Sequence, residues 1–191
     1  REASEGGRLA RRAIELGRDD AVALTRGGHA LGHFGGDLDA CIALLDRALV
    51  LDPNLSAAWY LSGFQRITRG EHDDAIDRFA RAMRLSPLDP EMVRMQTGTA
   101  MAHLLAGRFD SALVWAEKAY GDLPSFLLAA AIVAASHALA GRVDQARQAL
   151  HRVSRLDPTL RASTLDEWVL LHRREDLEMF REGLRKAGLP A

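Results

Sequence analysis

Two histidines, His29 and His33, stand four residues apart in GGHALGH, a spacing that sets two imidazoles on one face of a helix within reach of a single zinc ion. The chemistry such a pair serves is metal-assisted hydrolysis, which needs a glutamate beside the first histidine as general base and a third ligand from elsewhere. Ala30 occupies the glutamate position and no third ligand is evident, so the pair reads as packing or groove lining, with no metal site. His103 in AMAHLLAG and His137 in AASHALAG form a second pair at equivalent places in the chain, and recurrence of this kind argues for packing rather than catalysis. Cys41 is the single cysteine, which excludes an internal disulfide, and it stands where a small apolar side chain is wanted. No serine lies in a nucleophile-elbow pattern, and the glycines of RGGHALGHFGG do not follow a strand, so neither nucleophilic catalysis nor a phosphate cradle is supported. The chain reads as noncatalytic, with no cofactor.

The elements that carry these residues are set by a repeat. GEHDDAIDRFARAMRLSP, Gly70 to Pro87, shares its skeleton with GDLDACIALLDRALVLDP from Gly36, GRFDSALVWAEKAYGDLP from Gly107 and GRVDQARQALHRVSRLDP from Gly141. The glycines step by 34, 37 and 34 residues and the closing prolines step identically, which is the period of a helical solenoid. Three residues after each glycine comes an aspartate (Asp39, Asp73, Asp110, Asp144), then a small residue (Cys41, Ala75, Ala112, Ala146). A larger apolar slot follows (Leu45, Phe79, Ala116, Leu150), then another small one (Ala48, Ala82, Ala119, Val153). The glycine suits a left-handed turn between two helices, the aspartate is placed to cap the second helix, and the proline can open the next one. Each string is therefore expected to be the turn and second helix of a helix pair, and copies stack because one pair cannot bury its apolar face alone.

The unit around WYLSG, with Trp59, Ala75, Phe79, Ala82 and Pro87, resembles the tetratricopeptide repeat pattern W-x2-L-G, A, F, A, P; Ser62 departs from it, where leucine is usual. A closer resemblance rests on LARRAIELG, GGDLDACIALLDRAL, FARAMRLSPLDP, ASHALAGRVDQAR and EGLRKAGLP. These segments look like the C-terminal repeat region of bacterial proteins in which such repeats follow a class III adenylate/guanylate cyclase domain or a winged-helix domain. The resemblance implies an all-α fold, a right-handed superhelical solenoid of about eleven helices, in which the first helices of the pairs line a concave groove. Register then places Arg26, Ala30, His33, Tyr60, Phe64, Arg94, Thr97, Met101, Ala131 and Ala135 in that groove, with Arg26, His33, Tyr60, Phe64, Arg94 and Met101 as the candidate binding residues. Chaperone-binding members clamp a terminal carboxylate with lysines and asparagines at these slots; that clamp is absent here.

The expected organisation is a second helix of a truncated repeat over residues 1–18, four repeats over 19–53, 54–87, 88–124 and 125–158, and capping helices over 159–191. RRAIELG at Arg11 parallels DRALVLD at Asp46, so the first helix of that opening repeat is expected upstream, and its absence would leave Leu9, Ala13 and Ile14 as an apolar face. In the enlarged unit Asp89 is expected to cap and Pro90 to open a first helix one turn longer, carrying Met92 and Met95 as core filler or as a flexible binding surface. Beyond Pro158, LRASTLDEWVLLHR is expected to form one helix and REDLEMFREGLRKAGLP another. In the last, Leu177, Phe180 and Leu184 should face inward, with Glu178, Arg181, Glu182 and Arg185 outside.

Composition bounds the partners. The 191 residues are 48% hydrophobic and 27% charged, and their 25 basic and 26 acidic side chains mix along the chain without a basic stripe, so nucleic acid is not an expected partner. FLLAAAIVAA, Phe126 to Ala135, is about half the roughly 20 residues that span a bilayer and reads as a buried helix. The functional expectation is a cytoplasmic tetratricopeptide interaction module that binds a protein or peptide, or another domain of its parent, and regulates an effector such as a cyclase. The alternatives are a self-association scaffold forming a homodimer, and a small-ligand sensor.

Overall fold

The structure, a computed structural model, describes residues 2–169 and 171–191. Among the described residues it contains eleven α-helices, one short 3-10 helix and no strand. The helices are α1 (Glu2–Leu16), α2 (Ala21–Gly35), α3 (Leu38–Leu51), α4 (Ser56–Arg69), α5 (His72–Leu85), α6 (Met92–Leu105), α7 (Phe109–Asp122), α8 (Leu127–Leu139), α9 (Val143–Leu156), α10 (Leu165–Trp168) and α11 (Arg174–Ala187), with the 3-10 turn at Ala162–Thr164.

The four repeat glycines separate α2 from α3, α4 from α5, α6 from α7 and α8 from α9. Each has positive φ: 67° at Gly36, 84° at Gly70, 75° at Gly107 and 77° at Gly141. This is the left-handed conformation that a Cβ penalises, which is why the sequence repeats glycine there. The aspartates do not cap as expected. α3 is capped by Asp37, whose carboxylate accepts from the Ala40 N–H, while α7 and α9 start after Arg108 and Arg142 with no side-chain cap bond. Asp39, Asp110 and Asp144 lie inside the first turn, where a negative charge still favours the helix N-terminus.

The chain divides into two compact units. The first comprises Arg1–Gln65 with Asp77–Asp89. In it α1 packs on α2 and α2 on α3. Leu24, Ala48, Leu49 and Ala58 form a core, flanked by Ile14, Leu44, Leu55 and Trp59. The helices approach closely through small residues: a Cβ at Gly32 would stand 3.0 Å from both Cβ and Sγ of Cys41. The glycines of the GGHALGH stretch thus serve helix packing. Cys41 is fully buried, which pushes its thiol up to about 11, far from a reactive thiolate.

The second unit comprises Arg66–Ile76 with Pro90–Ala191. Here α6, α7, α8 and α9 pack in succession, and α8, with Ala129–Ala135 fully buried, is a core helix, as the apolar run implied. No described helix is long and apolar enough to cross a membrane. Every small slot of the repeat, from Cys41 to Val153, is fully buried, as are Leu45, Phe79 and Ala116, and Leu150 is nearly so.

Three expectations need correction. α6 begins at Met92, after Glu91, and matches α4 in length, so the three extra residues of this unit enter the connections on either side of the helix instead of adding a turn. Met95 is core. Beyond Pro158 the expected penultimate helix is reduced to the 3-10 turn and the single turn α10. In α11, Phe180 and Leu184 are buried but Leu177 only partly. Arg181, expected outside, is drawn in, donating from Nε to the Ala162 carbonyl at 2.9 Å.

Candidate functional site

α2 carries Arg26, Ala30 and His33 at four- and three-residue steps, so they share a face. Arg26 and His33 are exposed and Ala30 is half-buried. No carboxylate among the described residues pairs with Arg26. The His33 ring stacks on His29 with centroids 6.4 Å apart. No group of three or more potential metal ligands gathers among the described residues.

The aromatic residues of α4 form a chain with Phe79 of α5. Tyr60 meets Phe64 edge-on at 5.4 Å, and Phe64 meets the fully buried Phe79 edge-on at 4.9 Å. Phe64 is half-buried and Tyr60 is 8% exposed, so these rings support the core as much as they line a surface. Behind them Arg78 donates to Asp46 at 3.0 Å and to the Ser62 hydroxyl at 2.6 Å. That accounts for serine at the slot where leucine is usual: its hydroxyl satisfies a guanidinium drawn partly out of water.

In the second unit Arg94 is exposed and pairs with Glu91 at 3.3 Å. The other expected groove positions there are covered: Thr97, whose hydroxyl donates to the Val93 carbonyl, and Met101, Ala131 and Ala135 are all buried. The cause is α11. It packs chiefly on α8, less on α9, and reaches α6. A Cβ at Gly183 would come within 2.9 Å of the Ala135 Cβ and 3.1 Å of its backbone, so the helix axis passes directly over that slot. Sequence reasoning expected this helix to close the stack and missed that it lies over the first-helix face.

A second feature missed is a polar ladder through the turns. Arg108 pairs with Asp73 at 2.6 Å and Arg142 with Asp110 at 2.7 Å, each linking the turn of one helix pair to that of the preceding one. Arg108 Nε also donates to His103 Nδ1 at 3.1 Å, which requires that nitrogen unprotonated. Burial, then the neighbouring Arg108 or Arg142, holds both His103 and His137 below the usual imidazole value. The signal was present: arginine directly after the last two repeat glycines and aspartate three residues after each.

The arrangement presents surfaces for contact, and its perturbed groups are structural. No family model matches the chain, and no curated protein matches it. Solved structures do. YrrB, described as a TPR protein with an unusual peptide-binding site, is 20% identical, with 93% of this chain and 91% of that chain covered and a TM-score of 0.66. MamA is 20% identical over 80% of this chain and 86% of that chain, TM-score 0.69. MamA from residue 41 to its end, from Desulfovibrio magneticus RS-1, is 18% identical over 82% and 86%, TM-score 0.71. At these identities the likeness shows the fold, an all-α solenoid of tetratricopeptide type.

Proposed function

We propose that this chain is a noncatalytic tetratricopeptide interaction module that docks an acidic peptide, or another domain of its parent protein, and thereby regulates an effector domain of the class III nucleotide cyclase type. The observation that carries the docking reading is the α2 face, where Arg26, an exposed guanidinium with no carboxylate partner among the described residues, shares a helix face with Ala30 and His33. Phe64 of α4, half-buried, supplies aromatic surface in the same unit. An exposed charge that finds no intramolecular partner is available to one from outside, and electrostatic complementarity acts mainly on association rate. The effector reading rests on the resemblance of the repeat segments to cyclase-linked repeat regions. Arg26→Glu with His33→Ala should slow association with acidic peptides at low salt and lose that effect at high salt. In a parent protein carrying a cyclase domain, the same pair should alter cyclase output. Unchanged association and unchanged output would sink the reading.

A self-association scaffold is the second reading, and the outer face of α1 is its candidate surface if the upstream helix expected of that repeat does not cover it. Leu9 is 53% and Leu16 72% exposed, and Ala13 between them is exposed too. Ile14, expected on this face, turns instead to α2, where Gly27 packs against it. Leu9→Glu with Leu16→Glu should convert any dimer seen by sedimentation into monomer; a dimer that persists excludes this face.

A further inference from the structure

We infer that the surface of α8 and α6 beneath α11 is a second partner surface, occupied in cis by the segment Thr159–Ala191, and that it accepts in trans an amphipathic helix with the apolar pattern of α11. The residues concerned are distinct from Arg26, His33, Tyr60 and Phe64, so failure of the docking reading above does not decide this one.

The placement of α11 is the first reason. Within the second unit α8 lies mainly on α7, the second helix of the preceding pair, and less on α6, its first. A helix continuing that progression would lie mainly on α9. α11 does the reverse, lying mainly on α8. The connection permits it: residues 157–173 separate α9 from α11, whereas residues 123–126 suffice between α7 and α8.

The second reason is that the segment is bonded to itself. The Ala162 N–H donates to the Pro190 carbonyl at 2.8 Å, Arg181 Nε to the Ala162 carbonyl at 2.9 Å, and the Trp168 and Phe180 rings stack at 6.4 Å. It can leave the surface without surrendering these bonds. It is fastened to the rest of the unit by the apolar face of α11, which carries the fully buried Phe180 and Leu184, and by polar contacts. His72 Nε2 lies 3.2 Å from the buried Asp176 carboxylate, and Arg173, against which Gly70 packs, lies 3.6 Å from the same oxygen. Gly183 crosses at Ala135, on a face of alanines that bury little apolar area each.

The surface therefore fits a helix with a large ring, a glycine three residues on and leucine beside it, as in Phe180, Gly183 and Leu184, with an acidic group placed to meet His72. The test begins with the full chain. In hydrogen exchange, amides of α11 should exchange at least about tenfold faster than those of α8, reporting an opening short of global unfolding. Equal protection of the two helices overturns the proposal. A fluorescein-labelled peptide of residues 159–191 is then titrated against the full chain and its Gly183→Leu variant, whose leucine would collide with the Ala135 backbone and evict the resident segment. Freeing the site should tighten apparent peptide binding by about tenfold or more, because affinity scales with the fraction of open sites. The same peptide carrying Gly183→Leu should not bind. If Gly183→Leu fails to fold, Asp176→Asn in the full chain, which leaves His72 for the carboxylate of the added peptide, provides the comparison. No gain in binding by a folded variant overturns the proposal.

Discussion

At the scale of single residues, burial decides more than chemical type. Phe79 is fully buried, meets Phe64 edge-on and leaves no room for a Cβ at Gly63, which would stand 2.7 Å from its ring. Phe79→Ala is expected to cost about 3–5 kcal/mol in urea unfolding, the transfer loss plus the cavity; a loss below about 1 kcal/mol would contradict this packing. For the same reason Phe64→Ala is a poor probe of binding, since it undermines that contact as well. His103 and His137 predict a pH dependence. Both are held below the ordinary 6.5, so between that value and their folded values the unfolded chain binds more protons. Their contribution is fully present above 6.5 and is lost as pH falls toward the folded values. Urea midpoints should therefore drop between about pH 7.5 and about pH 5. His103→Asn with His137→Asn, which keeps an acceptor near Nδ1 but cannot protonate, should flatten that drop. An undiminished drop would assign the acid sensitivity elsewhere.

At the scale of elements, the turns hold two features of unequal weight. Gly107 has φ of 75°, and no neighbouring atom lies within 4 Å of the place a Cβ would take, so Gly107→Ala tests backbone conformation alone and should cost about 1–2 kcal/mol. Arg108, one residue on, makes a short ion pair with Asp73, but the pair is largely solvated, and Arg108→Ala should cost no more than about 1 kcal/mol. Thermal or urea unfolding that ranked the arginine above the glycine would mean the ladder stabilises the turns beyond what a surface pair can. The enlarged unit makes a related point: its extra residues lengthen connections and leave α6 the same length as α4, because the packed helices, and not the loops between them, set the span that must match.

For the whole molecule, charge is the informative quantity. With 25 basic and 26 acidic side chains intermixed along the sequence, no basic stripe is set aside in it for a phosphate backbone. Labelled duplex DNA at low salt should show no binding tighter than about 10⁻⁴ M, the weak end of nonspecific association. Micromolar, salt-dependent binding would reveal a basic surface that the mixing of charges conceals.

The glycine-to-glycine steps and the small slots between them were enough to set the class of fold, the helix pairs and most of the core, because helical periodicity and stacking make burial a function of position within the repeat. Cys41, Phe79 and Ala119 could be assigned to the core from spacing alone. Two things were visible in the sequence only in part. The aspartates three residues after each glycine were recognised as recurrent, but whether they cap a helix or pair with an arginine of the next turn depends on which backbone N–H groups the turn exposes. Arg26 and His33 could be placed on one helix face, whereas the burial of Tyr60 and Met101 could not be foreseen, since register says which way a side chain points and not what comes to lie over it. The position of α11 was decided by tertiary structure alone. Its own pattern specifies an apolar face but not the surface that face will meet. That choice rests on the buried carboxylate of Asp176 at His72 and the close crossing of Gly183 over Ala135, both contacts between residues far apart in the chain.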